Sequence, residues 1–341
     1  MAKRFAVETL DRSLKDIMNC QESFGGKVIV FGGDFRQVLP VVPKGTRAET
    51  VSASLVRSYL WNNIEKLSLT TNIRARVDPN FSDFLLRVGN GDESTDNDDM
   101  IHLPDEVVIK YENDEIFESN LLQSIFPDLE RNATSSEYLT TRAILATTNE
   151  HVDNLNEKLI TMFLGDARAY YSYDEAVDDT HNYYQEEFLN SLMPNGLPPH
   201  KLFLKKNCPI MLLRNLDPSN GLCNGTRMVC KSFGNNVIHA EITTGQHAGK
   251  QVLLPRIPLS PAENEGYPFQ FRRKQFPIRL CFSMTINKAQ GQTIPNVGVY
   301  LPEHVFSHGQ LYVALSRGIS MSTTKVLVKT DKRKNENCHF Q

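Results

Sequence analysis

Three polar clusters follow apolar runs in this sequence, and their residue types suit the chemistry of a terminal phosphate. Gly32-Gly33-Asp34-Phe35-Arg36-Gln37 follows Val28-Ile29-Val30-Phe31, Thr285-Ile286-Asn287-Lys288-Ala289-Gln290-Gly291-Gln292-Thr293 follows "IRLCFSM", and Ser316-Arg317-Gly318 closes "GQLYVALSRG". A phosphoryl transition state spreads negative charge over its oxygens, so a fixed amide from one body and guanidinium groups from another would stabilise it. Gln37 is the candidate amide, and Arg74 (in "LTTNIRA") and Arg317 are the candidate guanidiniums, because a planar, permanently charged fork suits the task better than an ammonium. Thr285, Asn287 and Lys288 offer a hydroxyl, an amide and a cation to a phosphodiester backbone, and Gly291 lets a chain approach closely. Singly, each cluster has an ordinary reading: a surface glutamine, a helix start, an arginine paired with a carboxylate. Together they ask for a fold that brings strand ends to a shared ligand.

The elements that must position them read as α/β. The chain has 341 residues, 40% hydrophobic and 23% charged, enough apolar material for more than one core. Residues 4–18 place Val7, Leu10, Leu14 and Ile17 on one helical face. Val28–Phe31 has the pattern of a buried parallel strand, a helical stretch is expected around Ser52 to Asn63, and Ile64–Leu69 is another apolar segment. From Gly89 to Glu118 the composition turns acidic and reads as an exposed connection. "AILATTNEHVDNLNEKLI" (143–160) then gives strand, turn and amphipathic helix, while residues 205–275 carry short β-rich runs with Asn-Gly and Gly-rich turns. The α/β texture returns at Ile278. No internal repeat is evident.

Several function classes are disfavoured. No run of about 18 apolar residues or secretory signal is present, which speaks for an intracellular chain without a membrane partner. Six cysteines lie without any C-x-x-C pair, and His304 and His308 have no convergent Cys or carboxylate, so no metal site is expected. The net charge of −3 gives no global attraction to nucleic acid, leaving local clusters to supply it: Lys201, Lys205, Lys206 and Arg214; Arg272, Arg273, Lys274 and Arg279; and Lys329, Lys332, Arg333 and Lys334. The tyrosines of "ARAYYSYD" and "NYYQEEF" read either as base-stacking or, more plainly, as core residues.

The order "GGDFRQVLPV", "LTTNIRA", "MTINKAQGQT", "GQLYVALSRG" resembles motifs III to VI of superfamily-1 DNA helicases of the Pif/RecD type, and "CPIMLLRNLDPSNGLCNGTRMVC" resembles most closely those carried by Helitron transposons, abundant in plants. The resemblance covers nearly all of residues 1–330. It implies two RecA-like P-loop NTPase domains, the first incomplete, with a small Src-homology-three-like β-barrel inserted in the second. The expected layout is 1–125 for the end of the first domain, 136–204 and 276–330 for the second, 205–275 for the barrel and 331–341 for a basic tail. The implied activity is ATP-dependent 5′ to 3′ translocation and unwinding of DNA, in repair, recombination or telomere maintenance, with ATP and Mg²⁺ as cofactors, single-stranded DNA as partner and the nucleus as location. By motif match Gln37, Arg74 and Arg317 take catalytic positions. Gly33, Asp34, Gln37, Gln290 and Gly291 take nucleotide-contacting ones, and Thr285, Asn287 and Lys288 strand-contacting ones. Asn287 departs from the histidine of many Pif-type relatives, as the Helitron branch does.

A complete engine of this type needs a G-x-x-x-x-G-K-[ST] loop and an acidic pair for Mg²⁺. "GQHAGKQ" from Gly245 is one residue short and lacks the Ser/Thr, and Asp105-Glu106 follows a proline rather than a strand. The chain is therefore expected to begin midway through its first domain, to expose a sheet edge there, and to have little ATPase activity alone. The alternative reading is a non-catalytic, transposon-derived DNA-binding protein.

Overall fold

The structure is a computed structural model describing residues 2–42, 45–95, 100–109, 114–179, 181, 183–261, 266–302 and 309–328. Its centre is a sheet of five parallel strands in the order Val108–Ile109, Thr324–Val328, Asn296–Leu301, Arg142–Ala146, Ser283–Thr285. Alternate side chains serve opposite faces, and both faces are covered, as a parallel sheet requires. Ile144 and Ala146 join one core with Leu121 and Ile125 of helix Asp114–Ile125 and Leu155 and Leu159 of helix Asn149–Met162. Ala143, Leu145, Val297 and Val299 join the other with Phe81, Phe84 and Leu85 of helix Pro79–Asn90 and Val313 of helix Gln310–Leu315. A side chain at position 298 would lie 2.8 Å from Ile125 and 3.0 Å from Leu121, so Gly298 is what lets helix Asp114–Ile125 seat on the sheet.

The expected domain limits shift. Strand Val108–Ile109 pairs with Thr324–Val328, and helix Asp114–Ile125 packs on the same sheet. The boundary drawn at 125 thus falls too late, and the acidic stretch from Gly89 is no simple exposed connection: Leu103 and Val107 are buried. Helix Pro79–Asn90 has a sequence signal that the pattern reading passed over. Asp78 caps the Phe81 amide at 3.0 Å, Pro79 sits in the first turn, and Phe81, Phe84 and Leu85 follow at helical spacing.

The antiparallel region is wider than 205–275. Strands Ile278–Leu280, Pro209–Leu212, Arg227–Phe233, Val237–Ile242 and Gln251–Pro255 form one sheet, in that order, and Ile257–Leu259, Phe271–Gln275 and Tyr173–Ala176 form a second. Arg168–Tyr171 pairs with Lys201–Leu204. Residues on both sides of the expected insertion are drawn in because each supplies a ladder partner. Buried Arg227 ties this region to the parallel sheet, donating to the carbonyls of Leu139 (3.2 Å), Thr140 (2.9 Å) and Arg142 (2.9 Å). The carbonyls of Leu139 and Thr140 end helix Ser136–Thr140, where a cation is favoured.

The amino-terminal residues are organised differently. Helix Arg4–Met18 presents Asp11, which accepts from Lys15 Nζ (2.8 Å), the Phe24 amide (2.6 Å) and Tyr59 Oη (2.8 Å). Around it Val7, Phe24 and Leu60 form a small buried cluster with half-buried Leu14, Ile29, Leu55 and Ile64, while Leu10 and Ile17 of the expected apolar face are exposed. The strand expected at Val28–Phe31 is not formed: Val28 is 93% and Val30 91% exposed. The segment from Ile64 to Leu69 likewise has no ladder partner among the described residues, with Leu69 95% exposed. Both have strand composition without a neighbour to bond. The helix expected from Ser52 to Asn63 is instead helix Arg47–Ser52 followed by short 3₁₀ turns Leu55–Arg57 and Trp61–Asn63. Among the described residues no helix is long and apolar enough to cross a membrane.

Candidate nucleotide and nucleic-acid sites

Asp34, Arg36 and Gln37 occupy a turn closed by the Gln37 amide on the Asp34 carbonyl (3.2 Å). The Asp34 carboxylate accepts from the Arg36 amide (3.1 Å) and from Gln37 Nε2 (3.1 Å), which fixes the side-chain amide. Arg36 Nε donates to Asn90 Oδ1 at 2.7 Å, holding the turn against the end of helix Pro79–Asn90. Gly309, at φ +71°, approaches the same turn so closely that a Cβ would lie 2.5 Å from the Arg36 carbonyl oxygen.

Across from this turn, Gln290 Nε2 donates to Gln37 Oε1 at 2.7 Å. Arg74 Nε donates to Thr293 Oγ1 (2.9 Å) and its Nη1 to the Ser316 carbonyl (2.6 Å). Arg317 is almost wholly buried, its Nε on the Val313 carbonyl (2.9 Å), Nη1 on that of Gln292 (3.2 Å) and Nη2 on Ser316 Oγ (2.7 Å). Gln37, Arg74, Gln290 and Arg317, far apart in sequence, therefore share one location. Burial first, and then the charge of Arg74, bring the Arg317 pKa down to about 10. Burial also lowers that of Arg74. The carboxylate that offsets the Arg317 charge is Asp34, already engaged by Gln37 and the Arg36 amide. Two guanidiniums with so little counter-charge leave a site that an anion would stabilise. Gly33 lies exposed just before the turn with open space around it, and Gly291, at φ +83°, a backbone conformation that favours glycine, also meets nothing within 4 Å. Among the described residues no group of three or more His, Cys, Asp or Glu stands ready for a metal ion, while the two guanidiniums and the Gln37 amide suit a phosphate.

Thr285 ends strand Ser283–Thr285 and precedes the 3₁₀ turn Ile286–Ala289, where Asn287 and Lys288 are exposed. Lys288 Nζ donates to Asn224 Oδ1 at 2.8 Å. Partial desolvation, then Arg214 and Arg279, lower the Lys288 pKa. The first two basic clusters read from sequence are split by their partners. Arg273 is buried, its Nη2 2.6 Å and its Nε 2.9 Å from the Asp174 carboxylate, because strand Phe271–Gln275 alternates and position 273 faces inward. Lys205 caps the end of helix Asn149–Met162 through the Phe163 carbonyl (2.6 Å). His304, His308 and the cluster from Lys329 onward lie outside the described residues. Of the tyrosines, Tyr170 is core while Tyr171, Tyr173 and Tyr183 are exposed. Sequence reasoning missed Asn90 at the first site, and no local signal marks it.

Residues 1–99 match the family model of PIF1-like helicases, and residues 187–233 that of the Pif1 helicase 2B domain. The chain is similar to the PIF1-like helicases. It is 26% identical to the ATP-dependent DNA helicase PIF1 of Xenopus laevis over 94% of its own length and 44% of that protein, and 27% identical to human PIF1 over 96% and 44%. A Bacteroides Pif1 structure bound to single-stranded DNA superposes with a TM-score of 0.63 at 21% identity, covering 97% of this chain and 68% of that one. The parallel sheet with its antiparallel region thus has a fold like that of the Bacteroides Pif1 structure, and the chain spans less than half the length of the curated PIF1 relatives it matches.

Proposed function

We propose that this chain is the part of an ATP-dependent 5′ to 3′ DNA helicase that senses the terminal phosphate of ATP and grips single-stranded DNA. The observation that carries the reading is the convergence of Gln37, Arg74, Gln290 and Arg317 in one anion-seeking site. In this reading a bound γ-phosphate competes with the Asp34 carboxylate for Gln37 Nε2, and Arg74 turns from the Ser316 carbonyl to the phosphate. Nucleotide occupancy thereby changes the link between the turn at 34–37 and the parallel-sheet unit. Mg²⁺, when bound with ATP, would neutralise developing charge on the phosphates. Thr285, Asn287 and Lys288 hold the strand through its backbone, which gives no sequence preference. The Helitron-type branch is supported by Asn287 and by the "CPIMLLRNLDPSNGLCNGTRMVC" segment, and a nuclear setting in repair or recombination follows from the helicase reading.

The test compares single-stranded-DNA-stimulated ATP hydrolysis by the 341 residues with that of a protein joining them to an amino-terminal segment bearing the G-x-x-x-x-G-K-[ST] loop and acidic pair. Hydrolysis is expected only from the joined protein, and Gln37→Ala or Arg74→Ala should reduce it about 10²-fold or more. A joined protein that stays inactive while binding DNA would replace this reading with a non-catalytic one.

A further inference from the structure

Three cations that the sequence scatters come together on one side of the antiparallel region. Arg214 follows strand Pro209–Leu212, Arg279 lies in strand Ile278–Leu280 paired to it, and Lys288 lies in the turn Ile286–Ala289. A chain of polar contacts surrounds them. Lys288 Nζ donates to Asn224 Oδ1, and the Asn224 amide donates to Asn215 Oδ1 (2.8 Å), next to Arg214. Arg214 Nη1 donates to the Gly196 carbonyl (2.9 Å); the neighbouring Asn195 accepts from Asn149 Nδ2 (3.3 Å), and Asn149 Oδ1 accepts from Arg279 Nη1 (3.0 Å). One carboxylate enters, Asp153, 3.4 Å from Arg279 Nη2. Neutral amide and carbonyl oxygens satisfy donors without cancelling charge, so three cations face a single anion, close enough that both arginines depress the ammonium of Lys288. Arg279 Nε is buried with no hydrogen-bond partner.

We propose that Arg214, Arg279 and Lys288 form one cradle for a backbone phosphate of single-stranded nucleic acid. A phosphodiester brings one negative charge and two free oxygens, which match two arginine forks and a point charge. The cradle adjoins Thr285 and Asn287, so a strand held there continues over the residues of the proposed function, on which this inference rests.

Binding of a fluorescein-labelled oligothymidylate is followed by anisotropy across a potassium chloride series. The wild-type chain is compared with Arg214→Ala, Arg214→Lys, Lys288→Ala, the double variant Arg279→Ala/Asp153→Asn, which strands no carboxylate, and Arg12→Ala as a distant control; melting curves identify any variant that has lost its fold. Each charge removal is expected to lower the slope of log affinity against log salt by about 0.7, while Arg214→Lys and Arg12→Ala keep the wild-type slope. If Lys288→Ala alone lowers the slope, the cradle is refuted and the functional reading survives. If the wild-type chain binds no oligonucleotide, both fall. Calorimetric binding of inorganic pyrophosphate that disappears in Arg214→Ala, with oligonucleotide binding untouched, would also overturn the proposal by assigning the site to a free phosphate.

Discussion

Val28-Ile29-Val30-Phe31 and Ala143-Ile144-Leu145-Ala146 carry nearly the same message in sequence, yet the first joins no sheet and leaves Val28 and Val30 exposed while the second is the fully buried middle of one. The difference lies in their neighbours. Arg142–Ala146 has Asn296–Leu301 on one side and Ser283–Thr285 on the other, with helices over both faces. Val28–Phe31 and Ile64–Leu69 have no ladder partner among the described residues. Apolar patterning states that a segment would gain from burial; a strand also needs a second backbone to receive its hydrogen bonds.

The sharpest way to break this comparison is to place a carboxylate in each segment. Leu145→Asp buries an unpaired charge and should abolish cooperative unfolding of the parallel-sheet unit in urea, whereas Val30→Asp should change stability by less than about 0.5 kcal/mol. Equal effects would mean that Val28–Phe31 is packed in solution. Next in size is Arg227→Ala, which removes the guanidinium's hydrogen bonds to the Leu139, Thr140 and Arg142 carbonyls and should cost about 2–4 kcal/mol by urea denaturation, with Arg227→Lys in between.

Asp11 sharpens the comparison from the amino-terminal side. Its burial raises its pKa, but Lys15, the Phe24 amide and Tyr59 outweigh that and hold it below the ordinary 3.8. The stabilisation is therefore complete above that value and is lost as pH falls through the folded pKa. Trp61, the sole tryptophan, packs on Phe35 in the same unit, so acidification should change its fluorescence before far-UV circular dichroism changes. Asp11→Asn should show that altered emission at neutral pH, at a cost of about 1–2 kcal/mol. The smallest effect is expected from Val28→Thr with Leu69→Thr, which should lower binding of a hydrophobic dye without moving the melting temperature.

These contrasts explain what could be read from the sequence. Strands at 143–146, 296–301 and 324–328 were legible because both faces are buried and their apolar runs are continuous. The meeting of Gln37, Arg74, Gln290 and Arg317 could be anticipated from motif order, although not the carbonyls that now occupy Arg317. The inward face of Arg273 and the joining of Arg214, Arg279 and Lys288 depended on strand register, which no local pattern shows. Helix Pro79–Asn90 is a different case, since its cap and spacing were present and went unread.

Arg227 carries a mechanical consequence. One guanidinium clamps the antiparallel region to the end of helix Ser136–Thr140 and to Arg142, the first residue of a strand whose far end leads through Thr148 into helix Asn149–Met162. Load applied to the antiparallel region is thus delivered along a stiff rod, with little slack, to Asn149 and the cations beside it.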